Sequence, residues 1–134
     1  MKRRVCLALL PLLLFALTCA AKTYRLTADP SVPAASGKLD VSHDHNGNTK
    51  LQLSVDHLAK PANLTPAKSV YVVWIQPNGE EPKNLGELTV GDHLKGEFSG
   101  VTPSKSFDLF VTAEDNAQAS SPSATQLLKT RVQQ

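Results

Sequence analysis

Apolar residues in this chain fall into stretches of different spacing, and each change of spacing marks a boundary. From Val5 to Ala21 they are almost continuous, broken by Pro11 and closing in small residues. Over residues 37–43 and again over 50–56 they alternate with polar ones, Leu39 and Val41 in the first stretch and Leu51, Leu53 and Val55 in the second. Over 70–75 the alternation fills in as Val-Tyr-Val-Val-Trp-Ile, bounded by Ser69 and by Gln76-Pro77-Asn78-Gly79. A β-branched and aromatic run that short is a strand rather than a helix. Both of its faces are apolar, Val70, Val72 and Trp74 on one side and Tyr71, Val73 and Ile75 on the other, so it is a central strand.

The two alternating stretches predict a hairpin. Pairing Val41 with Leu51 and Leu39 with Leu53 turns all the apolar side chains to one face and brings Asp44 opposite Asn48. It leaves His45-Asn46-Gly47 as the loop, with glycine where a left-handed residue is required. Residues 22–28 alternate loosely as a first edge strand before a proline-containing loop, and 57–68, with Pro61 and Pro66, cross from one sheet to the other. Residues 83–90 form a strand with Leu85, Leu88 and Val90 buried and a bulge at Gly86. After Gly91-Asp92-His93, strands follow at 94–99, 106–114 and 124–132. In the strand over 106–114, Phe107, Leu109, Val111 and Ala113 share one face, and Phe110 is the aromatic exception on the polar one. Seven to eight short strands separated by Pro, Gly and Asn turns predict an all-β, antiparallel, immunoglobulin-like β-sandwich.

The apolar N-terminal run changes the compartment. Met1-Lys2-Arg3-Arg4, a leucine-rich middle, and small residues around Thr18, Cys19, Ala20 and Ala21 form the plan of a secretory signal peptide. The expected division is a hydrophobic signal helix at 1–21 and a single domain at 22–134, exported to the periplasm or the medium. An uncleaved anchor, or a lipid on Cys19, is the variant of that plan, although Ala16-Leu17-Thr18 fits the lipoprotein pattern poorly. Both cysteines, Cys6 and Cys19, lie in this segment, so the mature domain has no thiol chemistry. Lys2, Arg3 and Arg4 supply three of the 14 basic residues, leaving 11 against 12 acidic ones. A near-neutral domain with scattered lysines is not built for nucleic acid, and it meets the membrane only through its leader.

Candidate chemistry is sparse. His43-Asp44-His45, with His93 as a third ligand, is the copper or zinc candidate, because imidazoles two residues apart on a strand point the same way. The hairpin register opposes it by placing His45 in the turn. Asp44, Asn46 and Asn48 open a calcium-loop spacing that then fails, with Gly47 at the fourth place and Val55 at the twelfth, so turn hydrogen bonds explain them better. No G-x-S-x-G elbow, phosphate loop or H-E-x-x-H segment occurs, and Glu80-Glu81 and Glu114-Asp115 are adjacent turn carboxylates, so catalysis is not expected. Trp74 and Phe110 form an exposed binding patch if their strands are neighbours and both point outward. The competing expectation puts Trp74 in the sandwich core.

Residues 71–75, with Gly79, Pro82, Leu85-Gly86-Glu87-Leu88, the strand Phe107 to Glu114 and Pro122 ahead of the last strand, resemble the extracytoplasmic C-terminal domain of bacterial anti-sigma-K factors. The resemblance spans roughly Ser69 to Val132 and implies a β-sandwich with a sensor-like or ligand-binding role. Four residues ahead of the apolar run leave no room for a sigma-binding segment. The expectation is therefore an exported, non-enzymatic binding or structural module of the bacterial cell envelope, without a cofactor, whose partner is an envelope protein or a small ligand. A periplasmic copper- or zinc-binding protein using His43, His45 and His93 is the alternative.

Overall fold

The computed structural model describes residues 21–134. The segment expected to be a signal peptide, as far as Ala20 and with Cys6 and the lipid attachment considered at Cys19, lies outside the described residues. Eight strands follow one another among those residues: β1 (Lys22–Ala28), β2 (Ser36–His43), β3 (Thr49–Asp56), β4 (Val70–Pro77), β5 (Lys83–Val90), β6 (Gly96–Thr102), β7 (Phe107–Glu114) and β8 (Leu128–Val132). One short 3₁₀ turn, Pro61–Asn63, interrupts the β3–β4 connection.

All pairings are antiparallel, and the hydrogen-bonded order is β1-β2-β3-β6-β5-β4-β7-β8, closed by β8 on β1. The all-β, antiparallel expectation therefore holds, but two separate sheets with open edges give way to a closed barrel. Two strands make the closure by changing partners along their length. Lys22 to Leu26 of β1 pair with β2, whereas Thr27 and Ala28 pair with β8. On the opposite side, β5 pairs with β4 up to Leu88 and then, through Thr89 and Val90, with β6.

The β2–β3 hairpin has the expected register, Leu39 opposite Leu53 and Val41 opposite Leu51. Its turn closes where Asp44 N–H donates to the Asn48 carbonyl at 3.0 Å, with Gly47 at φ 77°. The Asp44 carboxylate accepts from the backbone N–H of Asn46 and Asn48 and from the Asn48 amide, the turn hydrogen bonds expected of these residues. The hydrogen bonds from Asn48 hold that carboxyl below its usual range. Gly86, at φ 140°, sits where the β4–β5 register slips between Val73 and Trp74, the bulge expected there.

Two strands differ from the sequence expectation. β6 begins at Gly96 rather than near residue 94, because the Gly91 N–H bonds the Lys95 carbonyl and draws those residues into the turn. β8 starts at Leu128, leaving residues 124–127 in the preceding connection.

The barrel interior is filled from every strand. Leu39, Leu53, Val55, Tyr71, Val73, Leu88, Phe107, Leu109, Val111 and Leu128 are fully enclosed there. Each side chain of this size stabilises the fold by about 1.5–3 kcal/mol relative to exposure. Because successive strands reverse direction, their connections alternate between the barrel's two ends. The compact links 44–48, 78–82 and 103–106 lie at one end, where the chain also enters β1 at Lys22. The links 29–35, 57–69, 91–95 and 115–127 lie at the other.

Candidate functional site

Both aromatic candidates lie on the outer face of the barrel. Trp74 is directly opposite Phe110 across the β4–β7 ladder, and with Val72 they form an apolar cluster separate from the interior core. Adjacency and outward direction match the patch expectation; exposure does not. Trp74 is 0 % and Phe110 1 % exposed. The cover is the chain's own connection 115–127, whose Ala119 packs on the cluster. Trp74 is thus neither an open binding surface nor part of the barrel's interior.

Polar contacts fasten this cover. Asn84 donates its amide to the carbonyls of Ala117 and Ala119, at 2.9 and 3.0 Å. Trp74 Nε1–H donates to Thr112 Oγ1 at 2.8 Å, and that hydroxyl donates to Glu114 Oε1 at 2.6 Å. Glu114 then accepts from the Ser123 backbone N–H at 2.6 Å and from Ser123 Oγ at 2.8 Å. Burial raises the Glu114 pKa, but the hydroxyl of Thr112, the amide and hydroxyl of Ser123 and the nearby charge of Lys68 outweigh it. The carboxyl is held below its ordinary value as a charged acceptor.

The candidate histidines are not brought together. His43 is exposed at the end of β2, where its Nε2 meets the Gln134 side chain, and His45 is exposed in the adjoining turn. His93 is exposed in the β5–β6 turn. Because Thr49 pairs with Thr102 and Val55 with Gly96, that turn lies beyond the other end of β3. At about 3.3 Å per residue, the length of β3 alone puts His93 more than 20 Å from His43. Metal bonds of about 2 Å cannot span that gap, which removes the three-histidine site. Among the described residues, no group of three or more His, Cys, Asp or Glu side chains has a metal-binding arrangement.

Among the described residues, a cleft of about 780 Å³ opens at the long-loop end. Its walls are the β1–β2 link, the β3–β4 crossing and the last part of the β7–β8 connection, and its lining includes Val32, Leu64, Lys68 and Thr125. Each wall is tied to the barrel. Asp29 N–H donates to the Leu127 carbonyl at 2.8 Å, and the Asp29 carboxylate accepts from Ser31 N–H and Oγ–H, which lowers its pKa. Tyr71 extends from the core to donate its hydroxyl to the Ala59 carbonyl at 2.5 Å, and burial pushes its pKa up to about 12. Lys68 N–H bonds the Pro61 carbonyl, Ser69 N–H bonds the Glu114 carbonyl, and the Thr65–Pro66 bond on the rim is cis.

This arrangement presents an apolar floor with a few fixed polar groups around it, the usual make-up of a small-ligand or peptide site. Lys68 is its cation, 28 % exposed and 3.6 Å from Asp115. Asp29 is its anion, already engaged by Ser31. The lining hydroxyls of Ser31 and Ser123 donate to carboxylates rather than to an imidazole.

The candidate residues drawn from the sequence omitted this cleft, although a signal for it was present. Two of the three connections that wall it, 57–69 and 115–127, are long and contain proline, and alternation of strand direction puts them at one end. No protein-family model matches the chain, and no curated protein matches it significantly.

Proposed function

We propose that this protein is an exported, non-enzymatic binding module of the bacterial cell envelope, and that its ligand enters the cleft at the long-loop end. The observation that carries the reading is the placement of that cleft. Three tied-down connections build it at the end of the barrel opposite Lys22, so a domain attached through its leader would present the opening away from the attachment. The resemblance to the outer domain of anti-sigma-K factors supports a sensor-like or ligand-binding role. The immunoglobulin-like description belongs to the same reading: β1 and β5 divide the barrel into two faces, each resembling one sheet of a sandwich.

The test is site-specific crosslinking in growing cells. A photoreactive side chain at Thr125, inside the cleft, is expected to trap one defined species, and Lys68→Glu is expected to abolish the trapping. The same side chain at Arg131, on the outer face of β8 and across the barrel from β6, is expected to trap nothing. Equal capture from both positions, or capture from Arg131 alone, would overturn the cleft reading.

A further inference from the structure

β5 and β6 are neighbours in the barrel, yet their ladder is short. Gly91 N–H donates to the Lys95 carbonyl, and the ladder continues to the pairs Val90 with Gly96 and Thr89 with Glu97, where it stops. Two more hydrogen-bonded pairs in the same phase would join residue 87 to 99 and residue 85 to 101. Neither forms. The bulge at Gly86 turns β5 away, and the ring of Phe98, directed to the interior, lies beneath the gap where side chains on Gly86 and Gly100 would crowd it. From the Thr89–Glu97 pair to the short-loop end the two strands run on unpaired, with a notch between them.

β3 takes the other edge of β6, pairing through Thr102. By the alternation of an antiparallel ladder, the N–H and C=O of Ser99 and Val101 face the notch with no strand to receive them. Ser99 is exposed, and Val101, at 54 %, is one of two large apolar side chains exposed among the described residues. Ser99-Gly100-Val101 itself contains no lysine or proline, the usual protection of a free edge, and the lysine beside it, Lys50, belongs to β3. The corresponding opening between β1 and β8 is filled by the chain itself, where Tyr24 Oη–H donates to the Gln133 carbonyl at 2.9 Å.

We propose that the notch takes up an extended segment of another polypeptide, added as a strand along β6. Free backbone donors and acceptors at every second residue fit an extended backbone, and exposed Val101 offers apolar contact to the segment's side chains. Outward-facing Glu97 and Glu87 at the closed end of the notch favour a basic residue there. This surface is independent of the cleft and stands whether or not the cleft binds its ligand.

The probe is a short synthetic peptide selected for binding from a random display library. In the free protein, the amides of Ser99 and Val101 are expected to exchange rapidly, while those of Phe98 and Gly100, bonded to β3, exchange slowly. Bound peptide should slow Ser99 and Val101 selectively. N-methylation of alternate peptide amides should weaken binding about tenfold at each position that loses a backbone hydrogen bond. Val101→Pro, which removes an edge donor without removing a bond to β3, should bind the peptide more weakly; if that variant does not fold, exchange in the wild type decides. Slow exchange of Ser99 and Val101 in the free protein would overturn the proposal. So would a library without binders, peptides that protect the cleft loops instead, or protection that grows with protein concentration without peptide, which would identify a second copy as the occupant.

Discussion

Glu114 links the apolar cluster at Trp74 to the loop that hides it, and the consequence is a dependence on acidity. Its carboxyl is held below the ordinary value of 4.5, so its contribution to stability is complete above that pH and is lost as pH falls through the lower folded value. Glu114→Gln is expected to lower stability by about 1–2 kcal/mol at neutral pH, because a charge-assisted acceptor becomes a neutral one. The same change should flatten the loss of stability below pH 4.5, and urea unfolding followed by Trp74 fluorescence across pH 3–7 measures both effects. If wild type and variant lose stability in parallel on acidification, Glu114 is not the group responsible. Trp74 and Phe110 show how far the sequence reaches at this scale. Strand alternation makes their outward direction legible. Their cover is not legible, because Asn84, Thr112, Glu114 and Ser123 become partners only through long-range contacts with a connection of low hydrophobicity.

At the scale of elements, the β5–β6 contact depends on the absence of one side chain. A Cβ on Gly96 would lie 2.7 Å from the Thr89 carbonyl oxygen, a backbone atom that cannot rotate aside. Gly96→Ala is therefore expected to push β5 and β6 apart and to destabilise the protein by about 1–3 kcal/mol, as overpacking does. The midpoint of urea unfolding reports the cost, and faster exchange of the amides across the Thr89–Glu97 pair locates it. Unchanged stability would mean that the strands separate freely. Elements specified by their own residues were readable: the β2–β3 hairpin, with its register and Asx-type turn, and the bulge at Gly86. β6 and β8 were misplaced at their starts, since the Gly91–Lys95 turn and the β1–β8 pairing set those boundaries.

For the whole molecule, the decisive feature is that the first and last strands meet. The sequence pattern gives strands and faces but not the partner at each edge, so sandwich and barrel look alike until β1 is seen to leave β2 for β8. Histidine placement follows the same logic: His43 and His93 are separated by the barrel's length, a distance that only the strand order reveals. Deleting residues 128–134 is expected to abolish cooperative unfolding, because it strips Leu128 and Val132 from the core and leaves β1 and β7 with unpaired edges. A truncated chain that still unfolded in one sharp transition would show that closure is dispensable. Closure also bears on timing. Pairing Thr27 and Ala28 with Lys129 and Leu128 joins residues about a hundred positions apart, a non-local step that completes late in folding. A chain growing from its N-terminus holds β1 for about a hundred residues before β8 exists, so the barrel can close only after β2 to β7 have been made.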